Sequence, residues 1–194
     1  MITEQLIEIM PLNWVVKSGM DQQAITKRKL EVANTYLPYL NEYMEAYGIN
    51  TKDRQAMFIA QIAHECGELR YTREIWGPTA AQKGYEGRKD LGNIHSGDGK
   101  RFMGRGLIQI TGRANYAKCS QALTGTPNTF LDTPDLLSTP RHAVESACWF
   151  WADKGLNALA DTGNFVSVTK KINGGTNGLV ERGKYWEKAK EILS

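Results

Sequence analysis

Apolar positions along the chain recur mostly at helical spacing. Ala33, Leu37, Leu40 and Met44 follow a three-to-four repeat, so the segment before Gly48 is predicted to be helical. Pro38 is expected to start, kink or break one of its helices. Asn50 or Thr51 is placed to cap the next helix, with Asp53 in its first turn. That helix is predicted to run to about Tyr71, ahead of a stop at Gly77-Pro78. From Gly77 to Lys100 the chain is rich in Gly, Asp, Asn and Lys and poor in apolar anchors, which predicts a long, partly ordered loop. Between Gly104 and Gly112, Ile108 and Ile110 alternate with Gln109 and Thr111, which predicts a short strand. Further helices are predicted over 113–123, 141–154, 165–172 and 179–193, the last after a turn from Asn173 to Gly178. The fold class is mainly α, two helical lobes with a very small β element.

Composition fits this reading. The 194 residues are 41% hydrophobic and 23% charged, an ordinary globular balance that excludes wholesale disorder. The length suits a single domain. Before Asp98 there are 11 basic and 12 acidic residues (net −1), and from Asp98 onward 13 and 9 (net +4). That tilt is too mild for a nucleic-acid-binding surface. It suits a substrate with scattered negative charge. No run approaches the roughly 20 apolar residues of a membrane span. The first ten residues lack the cationic start and apolar centre of a signal peptide, so synthesis in a cytoplasm without an export signal is expected. Three cysteines at irregular spacing fit reduced thiols.

Chemistry concentrates around His64 and Glu65. With Phe58 set at 0° on a helical wheel, Ile62 falls at about 40°, Leu69 at about 20° and Glu65 at about 340°. Glu65 thus lies at the edge of the apolar arc, where partial desolvation favours the protonated carboxyl a general acid needs. The plain alternative is a glutamate in solvent or paired with Arg70 or Arg73. Partner carboxylates are Glu68, Glu74, Glu86, Asp90 and Asp98. Glu74 can face Glu65 only if the helix ends near Tyr71 and the chain turns back. A zincin site would need histidine at position 68, where this chain has Glu68. His64, His95 and His142 leave a zinc amidase as a minor reading. Cys66 with His95 or His142 could form a cysteine amidase, but Cys66 reads more simply as a buried small hydrophobe. Period-two geometry puts Gln109 and Thr111 on one face, able to bind a sugar or hold a water. The Asn173–Gly178 loop offers side-chain amides on a glycine-rich turn. Trp149 and Trp151 read as core, whereas Trp76 and Tyr85 are the better candidates for ligand contact.

Four segments carry a family resemblance: FIAQIAHECGELRYTRE (58–74), YEGRKDLGN (85–93), FMGRGLIQITGRANY (102–116) and INGGTNGLVERGKYW (172–186). In this order they resemble glycoside hydrolase family 19, and within it the small endolysin-type lysozymes of bacteriophages and prophages. The resemblance runs from about Met10 to the end. It implies a lysozyme-like, mainly helical fold that cleaves β-1,4 links of chitin or peptidoglycan with inversion and without a metal. It makes Glu65 the general acid, Glu74 the general base, and Thr111 the residue that helps hold the nucleophilic water. Gln109, Asn115 and Asn173 match sugar-contacting positions, and Arg182 matches an arginine near the second carboxylate. Tyr85 and His64 join them as candidate substrate contacts. The plant-type glutamate four residues past the INGG asparagine is here Asn177, which leaves Arg182 without that partner.

These features imply an endolysin that hydrolyses the glycan strands of peptidoglycan, with no cofactor, no metal and no nucleic-acid partner. The chain is expected to be a single catalytic domain, residues 1–50 packing on the core, with no separate wall-binding domain. It is expected to be monomeric, not inserted in membranes, and held in the host cytoplasm until a holin gives it access to the periplasmic wall. A chitinase or secreted toxin effector of the same family is the alternative within this chemistry. A Cys/His amidase and a non-catalytic wall-binding module are alternatives outside it. An inverting pair needs carboxyl groups roughly 6.5–9.5 Å apart, to leave room for water.

Overall fold

A computed structural model describes residues 1–194, and it is helical almost throughout. The helices are α1 (Thr3–Ile9), α2 (Gln22–Ala46), α3 (Lys52–Glu65), α4 (Ala80–Lys83), α5 (Asp98–Arg101), α6 (Arg113–Thr124), α7 (Thr129–Asp132), α8 (Pro140–Asp153), α9 (Leu156–Ala160), α10 (Phe165–Asn173) and α11 (Leu179–Leu193). The only β pairing is two isolated bridges, Arg73 with Arg105 and Arg105 with Ile110. No helix is long and apolar enough to cross a membrane. The chain divides into two compact units. One comprises Met1–Arg70 with Phe150–Ser194, the other Tyr71–Trp149.

In the first unit α3 is the central element. Thr51 caps it by accepting the Arg54 N–H, and Asp53 sits in its first turn. Every residue from Ala56 to Ala63 is buried, so this helix is enclosed on all sides. Phe58 meets Trp151 edge to face at 5.4 Å. Removing such a ring from a core costs about 3–5 kcal/mol. α11 is the main neighbour of α3, and α1 packs on α2 and α11. α2 continues through Pro38, which therefore neither starts nor breaks a helix. Pro38 and Asn34, the residue four before it, are both exposed, so the hydrogen bond lost at proline lies on the outer side of the helix.

α3 also departs, ending at Glu65 rather than near Tyr71. Gly67, Glu68 and Leu69 all adopt left-handed backbone (φ 58°, 59° and 66°). Gly67 is the reason. Its N–H bonds the His64 carbonyl at 3.3 Å and the Glu68 N–H bonds the Ala63 carbonyl at 2.8 Å, which closes the helix as a glycine C-terminal motif does.

The second unit corrects two further expectations. The Gly104–Gly112 segment is a turn, not a strand. Gln109 has φ 56°, and the Gln109 N–H returns to the Gly106 carbonyl. Alternation of Ile and polar residues here reflects a tight turn packed on one side, so the period-two argument fails. The 77–100 stretch is wired rather than loose. Buried Asn93 donates to the Tyr85 carbonyl and accepts the Arg113 N–H, both at 2.9 Å. Buried Asp98 holds Arg113 through two bonds of 2.6 and 2.8 Å and accepts the His95 N–H at 3.0 Å. Arg105, 3% exposed, bonds Asp135, the Arg101 carbonyl and the Tyr116 hydroxyl.

The Asp98–Arg113 pair generates a pH prediction. Hydrogen bonding from Arg113 holds the Asp98 carboxyl below its ordinary value of 3.8. Its contribution to stability is therefore present above that value and lost as pH falls through the lower folded one. Asp98→Asn should destabilise the fold by about 1–3 kcal/mol at neutral pH. Thermal melts should show the gap to wild type closing as the pH is taken below the ordinary value. A constant gap would show that the pair does not act through charge.

Candidate active site

Glu65 is the last residue of α3, and the backbone beyond it is tightly held. Non-glycine residues in left-handed backbone carry strain, and three contacts secure Glu68 and Leu69 there. Trp14 Nε1 donates to the Glu68 carbonyl at 2.9 Å, the Tyr185 hydroxyl donates to Glu68 Oε1 at 2.8 Å, and the Leu69 N–H donates to Cys66 Sγ at 3.2 Å. Burial and the Glu68 charge push the Tyr185 hydroxyl well up, so it remains a donor at neutral pH.

The Glu65 side chain is 21% exposed, and it meets Arg182, whose side chain is 3% exposed. Arg182 Nη2 donates to Glu65 Oε1 at 2.5 Å, Nη1 to Gln61 Oε1 at 2.7 Å and Nε to the Asn177 carbonyl at 3.1 Å. Gln61, itself buried, passes its other end to Thr169 Oγ1 at 2.8 Å. α3, α10, α11 and the turn before α11 thus share one polar chain. The apolar setting expected for Glu65 is therefore replaced by an ion pair, and its partner is neither Arg70 nor Arg73. Arg182 is bonded to Glu65 and to the Asn177 carbonyl.

His64 packs its ring on Gly178, which has φ 69° and where any Cβ would collide with the imidazole. Burial, reinforced by the Arg182 charge, lowers the His64 pKa and keeps the ring neutral at pH 7. The Asn173 amide is used inside its own turn, donating to the Asn177 carbonyl and accepting the Gly175 N–H.

Glu74 belongs to the second unit. Its N–H bonds the Gly104 carbonyl at 2.8 Å, and the Gly106 N–H bonds the Thr72 carbonyl at 2.9 Å. That pairing turns the chain back and presents the carboxylate to three donors. Oε2 accepts the Gly104 N–H at 3.0 Å, and Oε1 accepts Gln82 Nε2 at 2.9 Å and the Tyr85 hydroxyl at 3.3 Å. A Cβ at Gly104 would lie 2.6 Å from Gln109 Oε1, so a larger residue there would displace the Gln109 amide. Burial and the Glu74 charge raise the Tyr85 pKa, so its hydroxyl stays protonated. The Trp76 ring lies 6.4 Å from that of Tyr85. Gln109 Nε2 donates to the Gly106 carbonyl, Thr111 Oγ1 to the Gln109 carbonyl and Asn115 Nδ2 to the Thr111 carbonyl. Gln109 and Thr111 are therefore linked through one tight turn rather than aligned on a strand face.

The other carboxylates are occupied. Glu86 accepts the Gly97 and Gly99 N–H groups at the start of α5, Asp90 pairs with Arg88, and Asp98 with Arg113. No cluster of three His, Cys, Asp or Glu side chains suited to a metal is present. His142 bonds Thr139 and meets the Phe130 ring edge-on. Burial pushes the Cys66 thiol up to about 12, and its Sγ donates to the Ile62 carbonyl. Such a thiol is no nucleophile at neutral pH. Sequence reasoning missed Gln61 and Gln82. The second had a signal, the Thr79-x-x-Gln82 spacing of a capping box.

The glycoside hydrolase family 19 model, described as chitinase class I, matches residues 40–160. A glycosyl hydrolase family 19 domain-containing protein of Haemophilus influenzae is 32% identical over 174 residues, covering 76% of this chain and 84% of the relative. Endochitinase CHI of Arabidopsis thaliana is 31% identical over 120 residues, 61% of this chain, and the match spans only 42% of the plant protein. Among solved structures, chitinase C from Streptomyces griseus HUT6037 superposes with a TM-score of 0.69 at 21% identity, covering 99% of this chain and 76% of that one. That likeness bears out the mainly helical, lysozyme-like fold.

The buried thiols give a prediction independent of substrate. All three cysteines are free and buried. Native protein should react with no equivalents of a thiol-disulfide reagent, and unfolded protein with three. Cys66→Ser should fold and keep most of its activity. Rapid labelling of Cys66 in the native state, or a folded but inactive serine variant, would revive the amidase reading.

Proposed function

The chain belongs to glycoside hydrolase family 19, and from that premise we propose that it cleaves the β-1,4-linked glycan strands of peptidoglycan as an endolysin. The observation that carries a hydrolytic reading is the contrast between two carboxylates. Glu65 is paired with a buried guanidinium, and Glu74 is held by neutral donors. A module that only bound sugar would need neither. Chitin is the second reading, favoured by the names of the plant and Streptomyces relatives.

In the proposed reaction Glu65 is the general acid. Arg182 engages Oε1, leaving Oε2 to carry the proton to the glycosidic oxygen. As that proton departs, negative charge develops on Glu65 and Arg182 stabilises it. Glu74 takes a proton from a water that attacks the anomeric carbon from the opposite face, so configuration inverts. Thr111 uses its proton on the Gln109 carbonyl, which leaves the lone pairs of its oxygen free to orient that water. Tyr85, Gln109, Asn115, Asn173 and His64 are proposed sugar contacts. The expected biological setting is a monomer held in the host cytoplasm and released to the periplasm through a holin.

Purified peptidoglycan and chitin should be digested separately and the new ends identified by mass spectrometry. New reducing sugar ends from peptidoglycan are expected. Cleavage of chitin alone would move the assignment to the second reading, and new amino groups on intact glycan would overturn both. Glu65→Gln and Glu74→Gln should each lower turnover by about 10²–10⁴-fold or more with folding intact, and Thr111→Ala should cost less. EDTA should leave activity unchanged. Loss that zinc restores would contradict the metal-free mechanism.

A further inference from the structure

Gln82 is 3% exposed, and both ends of its side-chain amide are fully engaged. Oε1 accepts the N–H groups of Gly77 and Thr79 at 3.1 and 2.8 Å. Nε2 donates to the Ile75 carbonyl at 2.8 Å and to Glu74 Oε1 at 2.9 Å. Thr79 Oγ1 accepts the Gln82 N–H in return, which completes a capping box at the start of α4.

The cap explains only half of this arrangement. A capping box needs an acceptor at its third position, and glutamate serves there as well as glutamine. Near a helix N-terminus the negative charge of glutamate is the more favourable. The donor half of the amide is not needed by the cap, and one of its two bonds goes to Glu74.

We infer that Gln82 is a positioning residue for Glu74, a buried neutral donor that fixes the rotamer of this carboxylate. The inference rests on the reading of Glu74 as the base. A hydrogen bond donated to the charged form of a carboxylate favours that form. The other groups facing Glu74 are the Tyr85 hydroxyl, the Gly104 N–H and, beside Gly104, the Gln109 amide. Of these only Tyr85 titrates. The nearby guanidiniums are engaged elsewhere, Arg73 with Asp135 and Arg88 with Asp90. A cation at position 82 would tie Glu74 into an ion pair and weaken it as a base. A neutral amide orients it with a weaker effect of that kind.

Gln82→Glu is the diagnostic variant. It keeps an acceptor for Gly77, Thr79 and the cap, removes both donors, and sets a second carboxyl against Glu74. On whichever of peptidoglycan or soluble chitin oligosaccharide the enzyme cuts, the acidic limb of kcat/KM against pH should move up by about one pH unit or more. At neutral pH kcat should fall by about 10-fold while KM changes little. Gln82→Met, which removes the donors without adding charge, should move the limb in the same direction and serves if the glutamate variant does not fold. A purely structural role predicts lower thermal stability with the limb unmoved in both variants, and that result would overturn the inference. Glu74→Gln is run alongside. If that variant is active, the base assignment itself has failed. If it is inactive while the limb stays fixed in the Gln82 variants, only the positioning role has failed.

Discussion

A buried guanidinium is the constraint around which the first unit is organised. A charge at the position of Arg182 costs several kcal/mol unless it is matched by good partners. It needs acceptors for several N–H groups at fixed directions, and two parts of the chain supply them. Gln61 and Glu65 come from α3, and the Asn177 carbonyl comes from the turn before α11. The register of α11 against α3 follows, because sliding either helix by one residue would leave a buried charge unpaired. Thr169 on α10 is drawn in through Gln61. The same contacts that satisfy the charge fix the orientation of Glu65, so stability and chemistry share one set of bonds.

The second unit solves a similar problem with another arginine. Arg105 is as buried as Arg182, but its partners are Asp135, the Arg101 carbonyl and the Tyr116 hydroxyl, none of which is proposed to touch substrate. Its backbone pairs with Arg73 on one side and Ile110 on the other. It therefore secures the turn that carries Gln109 and Thr111 and sets the path of the chain into Glu74. In this unit the buried charge supports the site from behind, while neutral groups contact the carboxylate.

Long elements were legible in the sequence because they follow from periodicity. The spans of α6, α8, α10 and α11 agree with their predicted ranges to within a residue at each end. Errors arose where one residue decides the backbone. Gly67 ends α3, and reading on to Tyr71 put Glu68 and Leu69 on a helical wheel they never join. Gln109 in left-handed backbone turned an apparent strand into a turn. Pairing across long separations was out of reach in principle. Nothing in local spacing says that Arg182 meets Glu65 117 positions away. The family resemblance named these side chains without saying which bonds Arg182 makes.

The partners of the two carboxylates also differ in a way that bears on the opposite roles proposed for them. A general acid begins neutral and ends negative, so its environment must welcome a charge that appears during the reaction. Arg182 is a permanent cation at hydrogen-bond distance from Glu65 and needs no reorganisation when that charge arrives. A general base begins negative and ends neutral. A cation beside it would hold the charge too firmly and resist the incoming proton. Glu74 has instead an amide, a phenol and a backbone N–H, neutral donors that orient the anion and oppose its neutralisation less than a cation would. Burial keeps that phenol from ionising, so it cannot become a repelling anion at neutral pH.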